Sequence, residues 1–106
     1  MGLNALFKAL GDNTRREILR LLTQKALTAG EIAEAFDLSR ATISHHLSVL
    51  KDAGLVLDER QGQYIVYSLN TTVFQEVAAW VLDLRRTFLK RIEPGKERLR
   101  GKGKGE

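Results

Sequence analysis

Two adjacent histidines, His45 and His46, sit in a run of small hydroxyl side chains and one arginine: Ser39-Arg40-Ala41-Thr42-Ile43-Ser44-His45-His46-Leu47-Ser48. Such a run could ligate a metal through the histidines, activate Ser44 through a neighbouring histidine base, or offer hydrogen bonds to base edges. Spacing argues against the first two. Neighbouring residues on a helix point about 100° apart, so the two histidines cannot close on one ion. The chain has no cysteine and no third histidine to complete a site. Ser44 has no third residue to orient its histidine, no glycine-rich phosphate loop is present, and no paired carboxylates suggest acid–base work. Neither an enzyme nor a cofactor nor a metal site is expected.

The run is expected to be the first part of one helix, with both ends written into the sequence. Ser39 can accept from an orphan amide of the first turn, and Gly54 suits the left-handed residue that closes a helix. Between them Ile43, His46, Leu47 and Leu50 recur at i, i+3, i+4, i+7, the spacing of one buried stripe. The opposite face holds Ala41, Thr42, His45 and Ser48, with Arg40 and Ser44 at its flanks. A solvated face ordinarily carries long Glu and Lys side chains, whereas short hydroxyls, an arginine and an outward histidine suit a DNA groove. Ser39, Arg40, Thr42, Ser44 and His45 are therefore the expected contacts on this helix. His46 belongs to the inner side as a hydrogen-bonded, partly buried residue.

The elements around this helix must hold it out. Leu3, Leu6, Phe7 and Leu10 make a short amphipathic helix ended by Gly11, and Asp12-Asn13-Thr14 offers caps for a second helix with Ile18, Leu19, Leu21 and Leu22 inward. Gln24 to Leu27 reads as a connection. Thr28 and Glu31 form a capping box that opens a short third helix, and Asp37-Leu38-Ser39 turns into the helix already described. Two helices joined by so short a turn make a helix-turn-helix. Leu55 to Leu69 then gives two β-rich runs about a polar tip at Gly62, a hairpin, so the layout is that of a winged helix. Arg60 at the tip suits a narrow minor groove or a phosphate beside it, with Gln61 and Gln63 near it and Asp58 and Glu59 opposing it.

Asn70-Thr71-Thr72 should cap a long last helix whose Val73, Val77, Trp80, Val81, Leu84 and Phe88 form a stripe beside Phe74 and Ala78. First and last helices both carry more apolar surface than a domain of this size can cover. Leu3, Leu6, Phe7, Leu10, Phe74, Val77, Trp80, Val81, Leu84 and Phe88 are thus the expected core of a two-fold homodimer. The fold class is mainly α with a small β-hairpin (α+β). Residues 1–92 form the DNA-binding and dimerisation domain, and residues 93–106 a basic tail without periodicity, expected to be disordered.

Charge is distributed unevenly. The formal total is +4, but residues 1–84 hold eight Lys/Arg against ten Asp/Glu, net −2, while residues 85–106 hold nine against three, net +6. DNA binding by the central helix must therefore rest on local arrangement and not on bulk charge. No apolar run approaches a membrane span and the start lacks the features of a signal peptide, so the expected location is the cytoplasm.

Taken together, Asp12-Asn13-Thr14-Arg15-Arg16-Glu17-Ile18-Leu19, Ile43-Ser44-His45-His46-Leu47, Leu50 to Val56, and the wing from Arg60 to Leu69 resemble the ArsR/SmtB winged-helix repressors. Asn13 departs from that family's usual proline. Within the family the chain looks most similar to the SdpR-type autorepressors, which share His45-His46-Leu47, Tyr67 to Val73 and a tryptophan on the last helix. The resemblance implies a homodimeric, metal-independent repressor of an inverted-repeat operator, often at its own promoter. The family's thiolate site would fall on Ala29 to Glu34, which has no cysteine, and its other site on the last helix, which has Glu76 and Asp83 but no histidine. Two other readings stay open: a winged-helix module that binds a protein partner, and a repressor with a small-molecule inducer at the dimer interface.

Overall fold

The three middle helices start where a side chain takes the place of a missing backbone partner. In a computed structural model describing residues 2–92, the order is α1 (Leu3–Leu10), α2 (Asn13–Leu22), β1 (Leu27–Thr28), α3 (Ala29–Phe36), α4 (Arg40–Asp52), β2 (Val56–Gln61), β3 (Tyr64–Leu69) and α5 (Thr71–Arg91). The chain divides into two compact units, one ending at Val73 and one beginning at Phe74. The expected disorder of residues 93–106 falls outside the described residues.

Asp12 caps α2 by accepting from the Arg15 amide at 3.0 Å. Thr28 and Glu31 form the expected capping box, each accepting from the other's amide at 3.1 and 2.9 Å. Asp37 closes α3 in the left-handed region at φ 55°, a conformation a short polar side chain tolerates better than most. Ser39 caps α4 through the Thr42 amide, and past the end of α4 Gly54 takes φ 82°. A left-handed residue there turns the chain into β2 at little steric cost because it has no Cβ.

The sheet has three strands, in the order β1-β3-β2, all antiparallel. The expected two-stranded hairpin pairs Val56 with Leu69 through to Gln61 with Tyr64, around Gly62 at φ 64°. The third strand corrects the reading of residues 24–27 as a plain connection. Leu27 pairs with Tyr67 and Thr28 with Val66, and Leu27 is buried. Two residues are too few to show a period of two, and their strand exists because β3 has a free edge to pair with.

Ile18, Ile32, Ile43, Leu47, Leu50, Leu55 and Val56 are all nearly inaccessible, so α2, α3, α4 and β2 share one core. Leu6 and Ala9 of α1 are buried too. That alters the reading of α1. Leu6, expected at a dimer interface, is only 3% exposed within the chain itself, and Leu10 is half-buried; Leu3 and Phe7 are the members of that face left outside. Leu21, expected inward, is half-buried. On α5, Val73 is buried, Phe74 and Val77 are half-buried, and Trp80, Val81, Leu84 and Phe88 are exposed. Among the described residues no helix is long and apolar enough to cross a membrane.

Leu47 fixes the inner side of α4 at 1% exposure. Leu47→Ala should destabilise the chain by about 2–5 kcal/mol through reduced transfer energy and the cavity left behind. The check is a lower urea midpoint with an unchanged slope.

Candidate nucleic-acid interface

The inner side of α4 is anchored by one polar cluster. Arg15 of α2 donates from Nε to the Ala9 carbonyl at 2.8 Å and from Nη2 to the Lys8 carbonyl at 3.3 Å, and its Nη1 lies 3.3 Å from His46 Nδ1. Guanidinium only donates, so Nδ1 accepts and the His46 ring proton is assigned to Nε2. Asp12 Oδ2 also lies near Nδ1, at 4.0 Å, too far for a hydrogen bond. His46 is thus the hydrogen-bonded, partly buried residue expected, its side chain 14% exposed. His45 points outward, the two rings 5.9 Å apart and tilted by 53°.

The outer side is built from short side chains. Ser39, Arg40, Thr42, Ser44 and His45 are all exposed, and so are Ala41 and Ser48. At 3.6 residues per turn Ala41, His45, Ser48 and, in the last turn, the exposed Asp52 form the middle of the outward face, with Arg40, Ser44 and Lys51 along one flank and Thr42 on the other. The start of the helix is locked. Ser39 Oγ accepts from the Thr42 amide at 3.1 Å and donates to Thr42 Oγ1 at 2.9 Å, so both hydroxyls have local work before any ligand arrives. The Arg40 guanidinium lies back towards α3: a Cβ built on Gly30 would stand 3.7 Å from Arg40 Cζ, which is ordinary contact.

One ion pair joins the helix to the hairpin. Lys51 Nζ reaches Asp58 Oδ2 at 2.8 Å, and this hydrogen bond is the main reason the ammonium holds its proton above its usual range. The pair also answers the Asp58 charge that counted against the wing in the sequence. Arg60 follows Asp58 by two residues and pairs across the hairpin with Ile65, so it occupies the sheet face that Lys51 meets. Gln61, one residue on, lies on the opposite face beside Tyr64, while Gln63 sits in the turn. All three are exposed, but alternation separates Gln61 from Arg60. Lys51 is the contributor the sequence reading overlooked. Its sign and its position near the end of α4 were visible; its partner on a strand was not.

Residues 12–57 match the model of bacterial regulatory proteins of the arsR family. The chain is 53% identical over 81 residues to the transcriptional repressor SdpR of Bacillus subtilis (strain 168), covering 76% of this chain and 90% of that protein. The chain belongs to the ArsR family. It is accordingly a winged helix-turn-helix, DNA-binding transcriptional regulator. A more distant ArsR relative is the arsenical resistance operon repressor of Escherichia coli (strain K12), 38% identical over 76 residues, 71% of this chain and 62% of that protein. Among solved structures, an ArsR-like transcriptional regulator from Rhodococcus sp. RHA1 superposes with a TM-score of 0.75 at 30% identity, covering 85% of each chain. The solution structure of a homodimeric winged helix-turn-helix DNA-binding domain from Mycobacterium bovis gives 0.67 at 28%, over 86% of this chain and 84% of that one.

Asp12 stands at the root of this interface, and the hydrogen bond from the Arg15 amide is the main cause that lowers its carboxyl below the usual aspartate value. A depressed pKa in the folded state means stability that is present above the unfolded value and lost as pH falls through the folded one. Wild type should therefore lose more thermal stability than Asp12→Asn between pH 6 and acid pH near the usual aspartate range, about 4 and below. Melting curves across that window, with equal losses as the contrary result, check this.

Proposed function

We propose that this chain is a metal-independent homodimeric repressor that reads an inverted-repeat operator with α4 in successive major grooves and the Arg60 wing beside them. The observation that carries the reading is the outward face of α4. Over its first three turns its exposed residues are Ala41, Thr42, Ser44, His45, Ser48 and the flanking Arg40, none acidic, with Val49 half-buried beside them, on a helix whose inner side is held by Leu47, Leu50 and the Arg15–His46 contact. A helix fixed in place with short side chains outside can approach base edges closely.

Metal independence rests on the side chains present. There is no cysteine in the chain, Glu76 and Asp83 of α5 have no histidine near them in sequence, and Asp83 is engaged by Arg86 at 3.2 Å. The homodimer rests on the apolar side chains left outside. Val81, Leu84 and Phe88 on α5, and separately Leu3 on α1, are each 46–58% exposed, the kind of surface a second copy covers. The M. bovis domain is described as homodimeric, and SdpR as a repressor.

Two measurements test this. Arg40→Ala and His45→Ala should each weaken binding to a selected operator by about 1–3 kcal/mol while leaving the folded dimer intact. The log–log salt slope should flatten by about 0.9 for each phosphate that a variant no longer neutralises, and operator affinity unchanged in both variants would refute the role given to α4. Leu84→Asp with Phe88→Asp should convert the dimer to a folded monomer in sedimentation and lower operator affinity; a variant that stays dimeric would remove α5 from the interface.

A further inference from the structure

We infer that the methyl group of Ala41 packs on the 5-methyl group of a pyrimidine, the thymine of an unmodified operator, in each half-site. The inference rests on the function proposed above and adds a base to it. Ala41 is the second residue of α4 and exposed. The amino-terminal residues of a recognition helix are those that reach base edges. Its place on the helix is the middle of the outward face, with Ser44 and His45 in the next turn and Ser48 beyond.

Nothing long covers it. The residue before it, Arg40, carries its guanidinium back to within contact of the Gly30 position on α3. The residue after it, Thr42, has its hydroxyl engaged by Ser39 at 2.9 Å, and the same Ser39 oxygen holds the Thr42 amide at 3.1 Å. Ala41 is thereby presented at a fixed place on a capped first turn. Among the exposed residues of α4 every other side chain can donate or accept a hydrogen bond, and Ala41 can do neither; Val49, the other apolar residue towards that side, is half-buried. Against the amino and carbonyl groups of the other base edges it would displace water and return no hydrogen bond. The thymine methyl is the one major-groove group that gains from it.

The test uses the full chain and a duplex selected from a random pool. Each thymine of the half-site is replaced in turn by uracil, which removes only the methyl group. One symmetry-related pair of positions should respond, with binding weakened about fourfold per half-site, as expected for one buried methyl group, and about sixteenfold when both are replaced. Cytosine and 5-methylcytosine opposite guanine at that position differ only in the methyl group; tighter binding of the methylated duplex supports the methyl packing, and equal binding overturns it. Ala41→Gly should bind thymine and uracil operators alike. If glycine loosens the helix start, Ala41→Asn gives the second reading: selection should now favour adenine at that position. Wild type indifferent to uracil everywhere, Ala41→Gly keeping the full uracil penalty, or Ala41→Asn still selecting thymine overturns the inference while leaving the regulator reading intact. A chain that enriches no duplex at all overturns both.

Discussion

The fold depends on what Arg15 and Arg16 do with the end of α1. A helix leaves its last carbonyls without partners and carries partial negative charge there. Arg15 takes the carbonyl of Ala9 and shares that of Lys8 with the Gly11 amide, and Arg16 takes that of Leu10 at 2.7 Å, so the last three carbonyls of α1 are met by two consecutive guanidinium groups. Arg15 then reaches His46 on the inner side of α4. A single side chain thus ties the end of the first helix to the middle of the reading helix. Hydrophobic packing of Ile18, Ile43 and Leu47 supplies the bulk of the stability, but packing alone is weakly directional. The fork of hydrogen bonds sets which way α4 turns its outer face.

This has an electrostatic consequence. Of the eight cations among residues 1–84, Arg15 and Arg16 are spent on α1, Arg20 lies 3.8 Å from Glu17, and Lys51 is bound to Asp58. The exposed Arg20–Glu17 contact contributes little to stability, but it does dilute the field that a phosphate would meet. Arg40 and Arg60 make no ion pair among the described residues, and both are exposed. A platform of net negative charge can therefore still present cations where a duplex would lie. Within residues 1–84 sequence recognition is left to a few aimed contacts.

Local signals in the sequence carried far. Ser39 and Gly54 bracket the reading helix, Thr28 and Glu31 mark the start of α3, and Gly62 marks the wing tip, because caps and turns are decided within four residues of themselves. What depends on a distant partner was not legible. Leu27–Thr28 is a strand only because Val66 and Tyr67 arrive beside it. Leu6 has the apolar spacing of an interface residue, and periodicity shows that a face exists without showing what covers it. Nothing near Arg15 and Arg16 in the sequence shows that the end of α1 takes them, and Asp58 reads as a liability until Lys51 of α4 meets it. The separation of Arg60 from Gln61 was available in principle, since strand alternation alone places neighbours on opposite faces.

The short side chains of α4 also explain why reading and dimerisation belong together on the proposed dimer. A serine or threonine hydroxyl both donates and accepts, so it discriminates poorly between base edges, and the face has no arginine or asparagine at its centre to make a bidentate contact. One copy of such a face would gain little over non-specific attraction to phosphate. Two copies related by a two-fold axis repeat each contact on a symmetric site, so a discrimination of about 1–3 kcal/mol per base pair is counted twice. On such a dimer half-site spacing and symmetry become part of what is recognised. Specificity of this kind disappears with the second copy, even when every side chain of α4 is still in place.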